Sequence, residues 1–294
     1  MPQLFNVLVG LFYMLSSFFL LSVNTLLFMI LHYNHEFWSD TYRIIKSMCI
    51  ACILQLVSFF IGGVMTMTNT FFSYFLDKIL GATVESAFML YVALSLTLAV
   101  DRLSIFLLPA KSDRLRKYIE NVSLTVSWLF GLAYWIAFLV PHSGFTYRSD
   151  NGMLIWSYSS GHVAEFLAEI EPYVEFPVFG MVFVIYLTVF LLLIKLRKTA
   201  NQSRISLVEI KLLVVSLISF IYESLFVVWC CYGTTILPDS VYADVFVTTL
   251  WIFDSGLFSL AIIVVNRNVA VPWPRSSMSQ LAVFTPYHPL FYFF

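Results

Sequence analysis

The sequence predicts an all-α membrane protein, a seven-transmembrane helix bundle with its N-terminus outside and its C-terminus inside. The first observation is composition. The 294 residues are 60% hydrophobic and 11% charged, with a mean hydropathy of +0.88, whereas soluble domains carry about 25% charged residues. The second is that the apolar residues are collected in seven long runs. The third is that the basic residues are segregated to one side of those runs.

Each apolar run has about 20 or more residues, which is enough to cross a hydrocarbon core about 30 Å thick at about 1.5 Å per residue. The runs lie at 4–31, 44–68, 78–105, 120–141, 174–195, 211–233 and 244–265. We expect residues 1–265 to form the seven-helix domain. Residues 266–294 are expected to form a cytoplasmic tail rich in proline and aromatic residues, because its prolines prevent a further continuous helix.

The basic residues predict the orientation. With the N-terminus outside, fourteen of the sixteen Lys and Arg residues fall on the inner side, and only Lys78 and Arg148 fall outside. Basic residues near span ends are retained in the cytoplasm. The inner loops 106–119 and 196–210 are basic for this reason alone, so their charge is weak evidence for an acidic partner. Acidic residues predominate outside, which argues against nucleic acid and for a charged external vestibule.

The loop at 142–173 is the only long connection between spans. It contains potential breakers at Gly144, Gly152, Gly161 and Pro172. Alternation around 153–159 predicts a small hairpin. A structured lid over a cavity and a plain connector both remain open for this loop.

The most specific local signal is Asp101-Arg102 at the inner end of the third span. An arginine at that depth must be paired with an acid or must reach the membrane interface. Because adjacent residues of a helix face different directions, Asp101 can pair with Arg102 only partly. Glu209, at the inner start of the sixth span, is a second candidate partner. A bridge between the two spans would hold the inner face closed. The alternative is that Arg102 extends to the lipid head groups.

Three acids, Glu85, Glu223 and Asp254, lie within spans. At about 1.5 Å per residue they lie roughly 10, 15 and 15 Å deep, so they are expected to share a layer in the outer half. Intramembrane carboxylates usually face a cavity or a partner, which makes this layer the predicted ligand site, with Tyr91, Tyr222 and Trp251 beside it. Protonated or hydrogen-bonded acids with a purely structural role are the alternative.

Motifs for enzymatic chemistry are absent from the sequence. It has no Gly-x-Ser-x-Gly, no His-Glu-x-x-His and no phosphate loop. Cys49 and Cys52 have a spacing compatible with metal, but no second pair completes a site, so buried free thiols are favoured. We therefore predict no enzymatic activity, no metal and no cofactor.

Seven spans, an outer N-terminus and Asp101-Arg102-Leu103 at the end of the third span together resemble the G-protein-coupled receptors, whose motif is Glu/Asp-Arg-Tyr. The stretch Leu94-Ser-Leu-Thr-Leu-Ala-Val-Asp-Arg-Leu-Ser-Ile-Phe106, the short N-terminus and the aromatic-rich spans resemble the nematode serpentine chemoreceptors. The chain departs from the Glu/Asp-Arg-Tyr motif at Leu103. It also lacks two motifs of rhodopsin-like receptors, Cys-Trp-x-Pro in the sixth span and Asn-Pro-x-x-Tyr in the seventh, and has no cysteine to tie the third span to the second outer loop.

The resemblance implies a chemosensory receptor in the plasma or sensory cilium membrane. It would bind a small molecule in an outer-half pocket and activate a heterotrimeric G protein, with Asp101, Arg102 and Glu209 as the inner lock. The alternative from another class is an ion- or proton-coupled transporter that uses Glu85, Glu223 and Asp254.

Overall fold

In the residues that it describes, the computed structural model has seven long helices and one β-hairpin. It describes residues 2–34, 39–108, 112–140, 144–150, 153–159, 161–199, 207–236 and 240–265, with the backbone alone at 2–3, 149–150, 153–154, 196–199, 207–209 and 234–236. The predicted tail at 266–294 lies outside these residues.

The seven helices follow the seven apolar runs. They are α1 (Pro2–Tyr33), α2 (Asp40–Thr68), α3 (Tyr74–Leu107), α4 (Asp113–Leu139), α5 (His162–Thr199), α6 (Leu207–Ile236) and α7 (Val241–Val265). All seven are long and apolar enough to cross a membrane. Large apolar side chains also cover the outside of the bundle, among them Leu15, Phe18, Leu129, Phe183, Phe190 and Leu225. Such a surface is suited to lipid, where every backbone group is satisfied within its helix.

Two predicted boundaries are wrong by seven and twelve residues, and the others differ from the helix ends by up to four. Helix α4 begins at Asp113, inside the stretch expected to be an inner loop, and α5 begins at His162, twelve residues before the predicted span. The predicted breaker Pro172 lies inside α5, together with Pro177. Proline costs a helix one backbone hydrogen bond, but helices of membrane bundles tolerate it because neighbouring groups satisfy the freed carbonyl.

The predicted hairpin is confirmed. Strand β1 (Phe145–Asp150) pairs antiparallel with β2 (Met153–Tyr158), so that Phe145 lies opposite Tyr158 and Tyr147 opposite Trp156. Because side chains alternate along a strand, these four aromatic residues share one face. We call the end of the bundle that carries β1 and β2 the hairpin end, and the opposite end the Arg102 end.

Helix α3 lies at the centre of the bundle. Of its most apolar stretch 78% is buried, compared with 17% for α4. Helices α1 and α2 pack closely at Gly10 and Gly63, where an added Cβ would lie 2.6 Å and 2.9 Å from the backbone oxygen of the other glycine. Small residues permit such close contacts between membrane helices. Most polar residues of α3 are therefore buried within the protein rather than exposed to lipid.

Candidate functional site

The hairpin is held on the bundle by polar contacts. Asp77 Oδ1 accepts a hydrogen bond from the backbone N–H of Tyr147 at 2.7 Å, and Lys78 Nζ donates to the carbonyl of Val140 at 2.9 Å. The hydroxyl of Tyr147 is hydrogen-bonded to that of Thr66 on α2. All four cysteines are free, so these contacts tie the connection to α2 and α3 without a disulfide.

A glycine on α3 allows the hairpin to lie directly on the helix. A Cβ added at Gly81 would lie 1.7 Å from the carbonyl oxygen of Phe145. That distance is far inside van der Waals contact, so any larger residue would displace β1. Burial raises the pKa of Tyr147 and of Tyr158, and for Tyr158 the nearby Glu85 and Glu171 raise the pKa further. Both phenols are therefore protonated at neutral pH, and Tyr158 donates to Glu171 Oε2, whereas either hydroxyl of the Tyr147–Thr66 pair can be the donor.

A cavity of about 410 Å³ lies beneath the hairpin. Its size is within the range of small-molecule sites in proteins. The aromatic residues lining it come from α2, α3, both strands, α6 and α7, and are Phe59, Phe88, Phe145, Trp156, Tyr158, Phe226 and Trp251. The hairpin thus forms part of the cavity wall, which favours the lid over the plain connector.

Three carboxylates line the same cavity: Glu85 on α3 and Glu171 and Glu175 on α5. All three are buried, and Glu85 is only 3% exposed. Tyr158 donates a hydrogen bond to Glu171 Oε2. Glu85 Oε2 and Glu171 Oε1 have no hydrogen-bond partner among the described residues. The cavity therefore combines apolar walls with unsatisfied acceptor oxygens.

Trp251 on α7 forms the base of the aromatic cluster. Its ring centroid lies 5.4 Å from Phe59, 5.6 Å from Phe88, 5.7 Å from Phe145 and 5.9 Å from Phe226. Edge-on and tilted contacts at such distances are favourable. Its Nε1 donates to Gln55 Oε1 at 3.0 Å, so Trp251 has one face on the cavity and one hydrogen bond directed away from it.

The structure brings only part of the predicted ligand site together. Of the six predicted residues, Glu85 and Trp251 line the cavity, whereas Tyr91, Tyr222, Glu223 and Asp254 do not. The expectation that Glu85, Glu223 and Asp254 share one layer is therefore corrected, because only Glu85 lines the cavity. On α3, α6 and α7 the lining residues are Phe88, Val227 and Trp251, and Tyr91, Glu223 and Asp254 follow three to four residues farther from the hairpin, about one helical turn.

The three deeper residues belong to a buried polar layer below the cavity. The hydroxyl of Tyr91 lies 3.0 Å from that of Ser219, which donates to Glu223 Oε1 at 3.0 Å. Glu223 and Asp254 are both buried. Tyr222 lies to one side, where it donates to the carbonyl of Leu250 at 2.9 Å.

Side chains from α1, α2 and α7 continue this layer. Gln55 Oε1 accepts from Ser255 at 3.1 Å as well as from Trp251. Asn24 Nδ2 donates to the carbonyl of Ser255 at 3.3 Å, and Asn24 Oδ1 accepts from Ser259 at 2.6 Å. Hydrogen bonds thus connect the base of the cavity with three helices.

The sequence predicted Glu171 in the outer loop at 142–173 and Glu175 at the outer edge of the fifth span, and neither was among the predicted ligand residues, whereas both lie on α5 in the cavity wall. A signal for this was present. Small, acidic and apolar residues recur at intervals of three or four, the spacing of one helix face, at Ala164, Ala168, Glu171, Glu175, Phe179, Val182, Tyr186 and Val189. Pro172 and the acidic composition concealed the pattern.

At the Arg102 end, Asp101 is the centre of a buried polar group. Its Oδ2 lies 3.5 Å from Arg102 Nη2 and accepts a hydrogen bond from Thr41 Oγ1 at 2.8 Å. Its Oδ1 lies 3.5 Å from Arg116 Nη2 on α4. Asp101 therefore connects α3 with α2 and α4.

Arg102 is 2% exposed, which excludes an arrangement in which it reaches the head groups. Its Nε and Nη2 have no hydrogen-bond partner among the described residues. The backbone of Glu209 lies in α6, but its side chain is outside the described residues. A bridge between Arg102 and Glu209 stays a prediction.

Squid rhodopsin is a solved structure that this chain resembles, with a TM-score of 0.72 at 12% sequence identity over 95% of this chain and 86% of that chain. The chain has the seven-helix fold of rhodopsin. No protein-family model matches it, and no curated protein matches its sequence. The likeness shows the fold, whose seven helices are long and apolar enough to cross a membrane, and it leaves function and ligand open.

Proposed function

We propose that this protein is a chemosensory G-protein-coupled receptor, in which a small molecule bound beneath the hairpin controls activation of a heterotrimeric G protein at the Arg102 end. The observation that carries the proposal is the 410 Å³ cavity with its acidic and aromatic lining, in a fold shared with squid rhodopsin. The hairpin end is outside and the Arg102 end inside, as the basic residues predict.

The proposed mechanism is a shift between two conformations. A ligand changes their populations only by binding one more tightly than the other. In the resting state Asp101 holds Arg102 together with Thr41 and Arg116. A ligand that contacts Trp251 would alter its hydrogen bond to Gln55 and the polar layer below. Arg102 would then leave Asp101 and become available to the G protein.

The resemblance of the stretch from Leu94 to Phe106 to the nematode serpentine chemoreceptors supports the chemosensory assignment and a plasma or sensory cilium membrane. The roles proposed for Glu85 and Trp251 are ligand contacts. Tyr91, Glu223 and Asp254 are assigned to the packing and coupling of the layer beneath, Tyr222 to the contact between α6 and α7 beside it, and Asp101, Arg102 and Glu209 to the inner lock.

Purified protein in lipid vesicles tests the proposal against transport. We expect a chemical panel to contain compounds that raise nucleotide exchange on added heterotrimeric G proteins of the main classes, without ion flux in their absence. Ion or proton flux that is lost on Glu85→Gln, Glu223→Gln or Asp254→Asn, with no exchange on any heterotrimer, would contradict the receptor function and support a transporter.

A further inference from the structure

We infer that the ligand of the hairpin-end cavity is a small organic cation, carrying an amine or quaternary ammonium group. The inference rests on the proposed function only for its physiological meaning, since binding itself requires no G protein. It depends on the acidic lining of the cavity, on the unpaired oxygens of two of the lining side chains and on the aromatic walls.

The described lining of the cavity is acidic and contains no base. Glu85, Glu171 and Glu175 belong to it, and none of the other lining residues that the structure describes is Lys, Arg or His. Lys78, two turns of α3 before Glu85, donates instead to the carbonyl of Val140. A buried carboxylate is costly unless it is paired with a cation or hydrogen-bonded. A ligand cation would provide that partner.

Two of the carboxylates retain free acceptor atoms. Glu85 Oε2 and Glu171 Oε1 are buried without a hydrogen-bond partner among the described residues, although Glu171 Oε2 is bonded to Tyr158. Glu85 is 3% and Glu171 is 8% exposed. Buried polar atoms are normally paired, so unpaired acceptors on side chains that line a cavity favour a ligand that carries a donor or a positive charge.

The remaining wall suits the apolar part of such a ligand. Phe88, Trp156 and Trp251 present aromatic rings to the cavity. Aromatic faces attract cations, most strongly when both are removed from water.

The three acids lie on two different helices. Glu85 lies on α3, while Glu171 and Glu175 lie four residues apart on α5, so a cation between them bridges two helices.

The test uses the full chain, purified in detergent, and a panel that includes benzylamine, 2-phenylethylamine, tryptamine, 1,5-diaminopentane and the trimethylammonium derivatives of the first three. Each is paired with the alcohol and the carboxylic acid of the same skeleton. Binding is measured by calorimetry and by the shift of the thermal unfolding midpoint. We expect the compounds that bind to be ammonium ions, with their neutral and anionic counterparts at least about tenfold weaker, because these lack the positive charge that attracts the carboxylates and, compared with the amines, a charge-assisted hydrogen bond.

Glutamine variants locate the site. Glu85→Gln and Glu171→Gln are expected to weaken the best ammonium ligand at least about tenfold. Glu169→Gln, an exposed position on the same helix that does not line the cavity, should leave its affinity unchanged. Unfolding midpoints without ligand, and affinity for any neutral binder, show whether a variant is folded.

Binding of alcohols or acids in preference to amines would overturn the inference, as would ammonium binding that is equal in Glu85→Gln, Glu171→Gln and wild type, or the absence of any ammonium ligand. The proposed function can fail independently of this inference. Ammonium ions that bind through Glu85 but never raise nucleotide exchange would support this inference and contradict the receptor function. A neutral agonist that is insensitive to both glutamine variants would support the receptor function and contradict this inference.

Discussion

At the scale of single residues, Trp251 connects the cavity to the polar layer beneath it. Its ring packs against Phe59, Phe88, Phe145 and Phe226, and its indole N–H is bonded to Gln55 at 3.0 Å. A ligand that moves this ring must change a buried hydrogen bond at the same time. In the proposed mechanism, Trp251 is therefore the residue that most directly couples an occupied cavity to the polar layer.

Replacing Trp251 with Phe should raise basal signalling. The variant keeps an aromatic ring but removes the donor to Gln55, which stabilises the resting state. A net hydrogen bond contributes about 1 kcal/mol, so the resting state should lose about fivefold in population relative to the active state. Nucleotide exchange without ligand measures this ratio.

Trp135→Phe is the matched control, because it also removes an indole hydrogen bond, to Thr83 Oγ1 at 3.3 Å, but does so on α4 and away from the cavity. Equal basal exchange in Trp251→Phe and Trp135→Phe would show that the bond to Gln55 has no part in coupling.

Which site residues could be predicted depends on depth along each helix. Glu85 and Trp251 were predicted because a charged or amphipathic residue within an apolar run is unusual. The same criterion selected Glu223 and Asp254, which lie one turn below the cavity. A count of residues from estimated span ends does not resolve one turn, because those ends were wrong by several residues.

At the scale of elements, the hairpin is the part that closes the cavity, and Gly81 is the position where it touches α3. In Gly81→Ala the new methyl group would collide with the Phe145 carbonyl, which lies 1.7 Å from its position. Overpacking of this kind costs about 1 to 3 kcal/mol. We expect faster amide exchange across 144–159, together with roughly tenfold weaker ligand binding.

Gly180→Ala provides the comparison, since nothing lies within 4 Å of the added Cβ on α5, and alanine favours a helix over glycine. Its unfolding midpoint should stay the same or rise. Normal amide protection of the hairpin in Gly81→Ala would mean that the hairpin does not lie on α3 as the structure has it.

The elements differ in how far the sequence predicts them. The hairpin followed from alternation around Trp156 and Tyr158, and the seven helices from apolar runs. The first turns of α5 were missed because Pro172 normally indicates a helix end. In a membrane bundle that rule weakens, and the three- and four-residue spacing through Glu171 and Glu175 is the stronger signal.

At the scale of the whole molecule, the orientation in the membrane is a prediction from the basic residues. Two exposed arginines at opposite ends test it, Arg148 on β1 and Arg114 on α4. In intact cells a membrane-impermeant thiol reagent should label Arg148→Cys above the wild-type background and label Arg114→Cys only after permeabilisation. The reverse labelling pattern would show that the bundle has the opposite orientation in the membrane.

The fold was predictable as a whole because length, hydropathy and charge asymmetry act over the entire chain. The seven-helix bundle expected from these properties is the fold of squid rhodopsin, at only 12% identity. The cavity was not predictable to the same degree, since it depends on how α3, α5, α6 and α7 pack around Glu85 and on where β1 and β2 lie.

The central claim is that a ligand at the hairpin end controls a G protein at the Arg102 end. Arg102 is buried, is paired with Asp101 at 3.5 Å and does not line the cavity. The most direct measurement is agonist-dependent nucleotide exchange by Arg102→Gln in vesicles, with agonist binding measured on the same preparation. Arg114→Gln, exposed at the same end, is the matched control.

We expect Arg102→Gln to bind agonist like the wild type but to lose at least about tenfold in stimulated exchange, within the range of coupling energies between sites. The Arg114→Gln control should retain both. Stimulated exchange that is unchanged in Arg102→Gln, with agonist binding intact, would contradict the account.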